Sequence, residues 1–272
     1  MLSDITFGQY IYGRSVIHRM DPRIKLIFSI TLIIMLITAK TIAGFILNLV
    51  FVLTLYAFSG ISFKMLFRSI KPILPIVIIT GIFNIFFTPG NGDPLVSFWR
   101  INIYKQGIII AGLFVVRIAL IIVGSTLLTY TTSPIELTDA IERLLRPFKY
   151  LKLPVHELAM MMTIALRFIP LLIEETVKIM NAQKSRGADL DSGKLVQRVK
   201  ALIPILVPLF ISCFRRADEL AMAMECRCYR GGEGRTRMKQ LHLSWLDLSA
   251  SIIFLFFCAG VIFSNYYFTR IL

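Results

Sequence analysis

The sequence predicts an all-α membrane protein, with about five transmembrane helices joined to a cytoplasmic module of long amphipathic helices. Three observations carry this expectation. The 272-residue chain is 56% hydrophobic with a mean hydropathy of +0.74, more apolar than a soluble domain of this size tolerates. Five apolar stretches approach or exceed the ~20 residues a helix needs to cross a hydrocarbon core about 30 Å thick. The formal net charge of +14 gathers mainly in one region between the fourth and fifth stretches. A charge of this sign suits anionic lipid, nucleic acid or acidic protein partners, and composition does not choose among them.

The first stretch, from about Ile24 to Ala39, is short, and the second runs from about Thr41 to Ser59. A third covers about Pro72 to Thr88, where Pro72 and Pro75 are expected to loosen or kink the helix. The fourth is about Gln106 to Thr131 and the last about Leu246 to Phe268. The first 23 residues carry charges and polar groups with no apolar run, so no cleaved signal peptide is expected and the N-terminus is retained. Cytoplasmic loops are enriched in Lys and Arg. Arg14, Arg19, Arg23 and Lys25, then Lys64, Arg68 and Lys71, therefore place the N-terminus and the second loop inside, leaving Lys40, Arg100, Lys105 and Arg270 outside. The expected organisation is a four-span membrane domain over residues 1–131, cytoplasmic helices over 132–243 and a C-terminal span over 244–272.

Ser133-Pro134-Ile135-Glu136 opens the cytoplasmic module in the form of a capping box, with Ser as N-cap, Pro at the first helical position and Glu at the third. A helix should run from there to about Leu145. A second, from about Val155 to Arg186, ends at Gly187 as its C′ residue; a third, from about Gly193 to Tyr229, stops at Gly231-Gly232. Both long helices have a proline-containing apolar first half and a polar second half. About 30 residues at 1.5 Å each span about 45 Å, so the two read as arms reaching from the membrane interface to a partner below. Reading their apolar halves as further spans would put Glu157, Arg167, Arg198, Lys200, Arg215 and Arg216 in or near lipid, at a cost of several kcal/mol; interfacial or cytoplasmic placement is expected instead.

Each arm ends in an arginine cassette, Lys184-Ser185-Arg186-Gly187 and Glu225-Cys226-Arg227-Cys228. Physics alone leaves two readings open. A cation near a helix C-terminus complements the macrodipole by about 0.3 to 1 kcal/mol and can simply point into water. A planar, always-charged guanidinium also forms bidentate pairs with carboxylates and suits a docking plug for an acidic groove; the repetition favours this second reading. Arg215 and Arg216, at helical spacing from Asp218 and Glu219, are expected to make local pairs. Arg117, set among Phe114-Val115-Val116 and Ile118-Ala119-Leu120, is an expensive charge with either a functional or a structural use.

Several ordered motifs resemble the transmembrane T component of energy-coupling factor (ECF) transporters, over nearly the whole chain. They are Gly8-Gln9-Tyr10 with Ser15, His18 and Asp21-Pro22-Arg23-Ile24-Lys25-Leu26; Thr131-Thr132-Ser133-Pro134-Ile135-Glu136-Leu137; Ala165-Leu166-Arg167-Phe168-Ile169-Pro170-Leu171-Leu172 with Glu174-Glu175; Ala182-Gln183-Lys184-Ser185-Arg186-Gly187; and Arg216-Ala217-Asp218-Glu219-Leu220-Ala221 leading to Ala223-Met224-Glu225-Cys226-Arg227-Cys228-Tyr229-Arg230-Gly231-Gly232. The resemblance implies a multi-pass subunit of a prokaryotic cell membrane. It would couple two cytoplasmic ABC ATPase subunits to a small membrane S component that binds the substrate, typically a vitamin. It also implies that Arg186 and Arg227 dock into grooves on the two ATPases. Ser185, Cys226 and Cys228 depart from the family's Ala-Arg-Gly-like pattern but keep small neighbours around each arginine. Met160, Met161, Met162, Met222 and Met224 suit an adaptable surface for the S component, or ordinary core.

No catalytic, cofactor or metal site is expected on this chain. It lacks a GxxxxGK[ST] phosphate loop, so ATP hydrolysis would fall to partners. His18, His156 and His242 are scattered, and Cys213, Cys226, Cys228 and Cys258 form no CxxC pair; on a continuous helix Cys226 and Cys228 would point their thiols apart. No basic stretch interleaved with aromatics points to nucleic acid. Two other classes stay open. An autonomous secondary transporter or channel would want more polar groups at membrane depth than Asn48, Asn84 and Arg117, and an intramembrane enzyme would want a cluster of His, Asp or Glu there.

Overall fold

The computed structural model describes residues 10–87, 96–98, 101–151, 154–188, 195–231 and 242–267. The expectations placed on Gly8, Gln9, Thr88, Arg100, Gly193, Gly232, Phe268 and Arg270 fall outside them. Among the described residues the architecture is helical, as expected, apart from one short hairpin, β1 (Val96–Phe98) antiparallel to β2 (Ile101–Ile103), with Val96 opposite Ile103.

Local chemistry explains several helix ends. The Ser15 hydroxyl accepts the His18 N–H to start α1 (Val16–Arg19), and Asp21 with Pro22 at the first position starts α2 (Pro22–Thr38). Thr41 accepts the Gly44 N–H at 3.1 Å to start α3 (Ile42–Ser59), and Gly60 ends it at φ +69°. The expected third span is instead a broken pair: α4 (Phe63–Ile70) and α5 (Leu74–Phe87) meet at 62°. Pro72 lies in the break, where its missing N–H and ring interrupt the ladder. Then follow α6 (Lys105–Thr131) and α7 (Pro134–Leu145), whose bounds match the capping box, with the Glu136 N–H donating to the Ser133 hydroxyl at 3.3 Å. A 3-10 turn (Arg146–Leu151) leads to α8 (Val155–Ser185), α9 (Leu195–Cys226) and α10 (Trp245–Tyr267).

By length and composition, α3, α6, α8 and α10 can each cross a membrane, and α4 with α5 makes a fifth if that bent pair is one span. Helix α8 thus meets the same criteria of length and hydropathy as the spans, although the sequence suggested interfacial or cytoplasmic placement; α2, at 17 residues, is shorter, about 26 Å.

The chain divides into two compact units, one of residues 9–140 with 241–272 and the other built on 141–240. The first is a bundle in which α2, α3, α6 and α10 enclose Leu36, Val52, Tyr56 and Val261. Phe28 stacks on Phe254 at 4.2 Å and Phe51 on Phe257 at 3.9 Å, while Ile30, Ile34, Ile252 and Phe256 face outward, as lipid-facing residues do. Gly124 lets α6 close on α2, since a Cβ there would meet Leu32 at 2.9 Å.

Polar ties close both ends of the bundle. At one end the buried Lys25 ammonium donates to the carbonyls of His18 (3.2 Å) and Thr131 (3.0 Å), and the buried Asp247 carboxylate accepts the Asp21 N–H (2.8 Å) and the Ser244 N–H (2.8 Å). At the other, Asn265 bridges the Thr38 carbonyl and the Lys40 N–H, and Thr41 bonds Ser264 at 2.8 Å. Such pairing offsets the cost of taking polar groups out of water. Arg117 has a structural use: it donates to the Ala39 carbonyl at 2.6 Å and lies over the Phe45 ring at 4.9 Å, fastening α6 to the α2–α3 turn.

Candidate functional site: two paired helices and their arginine caps

The second unit is organised by α8 and α9, which pack against each other. Two contacts fix their sense. Gln183 Nε2 donates to the Pro204 carbonyl at 3.3 Å, and Arg216 pairs with Glu175 at 3.2 Å. Stepping back along α8 means stepping forward along α9, so the helices are antiparallel. The first contact has a clear cause. Pro208 has no N–H, which leaves the carbonyl four residues earlier, at Pro204, without a helical partner, and the Gln183 amide takes it. Arg216 therefore joins two helices, which corrects the expectation of a purely local pair with Asp218 or Glu219.

Both arginines occupy the same backbone position. Arg186 is the C-cap of α8 and Gly187 follows at φ +84°; the Gly187 N–H reaches the Lys184 carbonyl at 3.0 Å and the Ala188 N–H reaches Gln183 at 3.0 Å. Helix α9 ends identically. Arg227 follows its last residue, Cys228 sits at φ +54°, the Cys228 N–H reaches the Glu225 carbonyl at 2.9 Å and the Tyr229 N–H reaches Met224 at 3.1 Å. Each is the paired 6→1 and 5→2 bonding of a Schellman termination. The helix was expected to continue to Tyr229 and to stop at Gly231-Gly232. It stops three residues before Tyr229, because a cysteine takes the left-handed position that glycine fills in the other cassette. Cys228 is thus outside the helix, which removes the helical-geometry argument about its thiol and that of Cys226.

Ser185, Arg186, Gly187, Cys226, Arg227 and Cys228 are all exposed, and the Ser185 hydroxyl donates back to the Asn181 carbonyl at 3.0 Å, away from the arginine. The structure brings each cassette together locally and sets the two apart. From Pro204, beside the end of α8, to Arg227 is about 23 residues, or about 35 Å along α9. Antiparallel helices place their C-termini at opposite ends of the pair, so the two cassettes do not lie side by side.

Among the methionines singled out, Met161, Met162 and Met222 are exposed, whereas Met160 and Met224 are half-buried. A more continuous surface went unread. Leu202, Ile203, Leu206, Val207, Phe210, Ile211 and Phe214 are all exposed along α9 at the i, i+3, i+4, i+7 spacing of one helix face. That spacing was legible, but it cannot say whether the face is buried within its own chain.

The fold and these helix ends define a multi-pass α-helical membrane protein with a separate helical unit that presents two matched arginine caps. A family model described as cobalt transport protein, CbiQ, matches residues 13–238. Curated relatives named energy-coupling factor transporter transmembrane protein EcfT are 54% identical over 93% of this chain and 93% of the protein in Clostridium kluyveri. The corresponding figures are 50% over 98% and 100% in Ruminiclostridium cellulolyticum, and 49% over 97% and 99% in Thermosediminibacter oceani. The chain belongs to this family, as its motifs implied, and is the transmembrane T component of an energy-coupling factor transporter.

Proposed function

We propose that this chain couples two cytoplasmic ATPase subunits to a small membrane S component, with Arg186 and Arg227 as its two ATPase-docking points. The observation that supports this most is the identical capping geometry of two exposed arginines at opposite ends of one helix pair. A single carboxylate groove needs one arginine; two caps about 35 Å apart suit two subunits. Each guanidinium can form a bidentate pair with an acidic groove, and Ser185, Gly187, Cys226 and Cys228 are small enough to let that groove close around it.

On this reading the N-terminus is cytoplasmic, and each end of the helix pair meets one ATPase subunit. Closure of the ATPases on ATP shortens the distance between the docking points, and opening the antiparallel pair toward a cross does the same. The exposed apolar residues of α8 and α9, Met161 and Met222 among them, with Met160 and Met224 beside them, then shift beneath the S component. The cargo, a vitamin or another micronutrient, is chosen by that S component.

The test is co-purification of the assembled complex. Arg186→Glu with Arg227→Glu is expected to abolish ATPase recovery while the chain stays membrane-inserted, and each single variant should weaken recovery. Undiminished ATPase recovery in the double variant overturns the docking assignment.

A further inference from the structure

Helix α4 carries a surface that the coupling reading leaves unused. Between Asp21 and Asp93 the chain contains no Asp or Glu, so Lys64, Arg68 and Lys71, all exposed, have no acidic neighbour in sequence. At about 100° per residue they fall within an arc of about 60°. Met65, Leu66 and Ile70 point the other way and pack on the bundle core. Between these faces lie Phe63 and Phe67, 58% and 70% exposed.

The helix is held in place at both ends. The Tyr56 ring of α3 contacts Phe63 at 5.9 Å, and Ser69 bonds the Tyr130 hydroxyl of α6 at 2.7 Å. It cannot be the first part of a membrane span, because three exposed cations would then enter hydrocarbon. The 62° bend turns it away from apolar α5, and a basic face beside aromatic residues is the pattern of a helix lying in the headgroup layer. An acidic protein surface would satisfy the cations but leave the two exposed phenylalanines without an apolar phase.

We infer that α4 is a membrane-surface helix whose Lys64, Arg68 and Lys71 bind anionic phospholipid headgroups while Phe63 and Phe67 enter the acyl boundary. The inference does not depend on the docking assignment or on sidedness.

The experiment titrates phosphatidylglycerol or phosphatidylcholine into the delipidated, detergent-solubilised full chain and reads bound lipid by native mass spectrometry. Each cation near an anionic surface contributes about a fivefold factor. Lys64→Gln, Arg68→Gln and Lys71→Gln together should therefore weaken the tightest phosphatidylglycerol binding by on the order of a hundredfold and leave phosphatidylcholine unchanged. The charge-conserving set Lys64→Arg, Arg68→Lys and Lys71→Arg should bind as the parent does. If the triple neutral variant fails to accumulate, the three single variants should each show about a fivefold loss. Equal binding of both lipids by the parent, or a triple variant that keeps its phosphatidylglycerol preference, overturns the inference. So does loss of a co-purifying protein with lipid binding intact, which would make α4 a protein-docking face.

Discussion

Exchanging the residue in the left-handed position of each cassette tests whether the two arginine caps are one device. A non-glycine residue in that region costs roughly 1 to 2 kcal/mol, and glycine returns about 0.5 to 1 kcal/mol of that through its freer unfolded chain. Gly187→Ala should therefore weaken the α8 cap by about 1 kcal/mol. Sterics add nothing, since a Cβ at Gly187 meets no atom within 4 Å. Cys228→Gly should strengthen the α9 cap by about the same amount. At 1.4 kcal/mol per factor of ten, each change alters the opening of the cap about fivefold. The amides that report it are those of Ala188 and Tyr229, which close the two caps on Gln183 and Met224. Hydrogen exchange should speed about fivefold at Ala188 in the first variant and slow about fivefold at Tyr229 in the second, with the effects additive in the double variant. Unchanged exchange at Ala188, or faster exchange at Tyr229 on introducing glycine, would refute the shared-cap argument and show that the Cys228 side chain holds its turn by other means.

Two further predictions concern packing. A double-mutant cycle with Glu175→Gln and Arg216→Gln should give a coupling of about 0.5 to 1 kcal/mol, reduced by salt because both groups are partly exposed; a coupling of zero at low salt would mean that the pair does not bind α8 to α9. Asp247→Ala should destabilise the membrane unit by about 2 to 4 kcal/mol, since it strands the buried Asp21 N–H and removes the acceptor that holds Ser244 at the start of α10; thermal unfolding in detergent indistinguishable from that of the parent would contradict this.

The features legible in the sequence were those whose chemistry is local. Ser133-Pro134 and Leu145 bound α7 as expected, and Gly187 terminates α8, because a cap is made by residues a few positions apart. The end of α9 was misjudged for the same reason: glycine was the available signal, and Gly231 at φ +90° stands three residues beyond the cysteine that breaks the helix first. The kink at Pro72 was foreseen, but not that the break would be sharp enough to leave α4 and α5 as separate helices. The Arg216 to Glu175 and Gln183 to Pro204 contacts join residues 41 and 21 positions apart. Helical spacing rules see only neighbours on the same helix. Pro208 did announce a freed carbonyl at Pro204, but nothing in the sequence names the side chain that takes it. Antiparallel pairing, and with it the separation of the two arginines, followed from those contacts alone.

The tie between the Asp21 N–H and the Asp247 carboxylate spans 226 positions, and this has a consequence for how the protein is made. The start of the first long helix is synthesised early, while its acceptor leaves the ribosome only with the last helix. Until then the amide of Asp21 has no Asp247 to meet, and the bundle around Lys25 stays open on the side that α10 will fill. This latch on the membrane unit is thereby completed only once α10 has been made, and a chain cut short before residue 247 lacks the acceptor that holds the start of its earliest long helix.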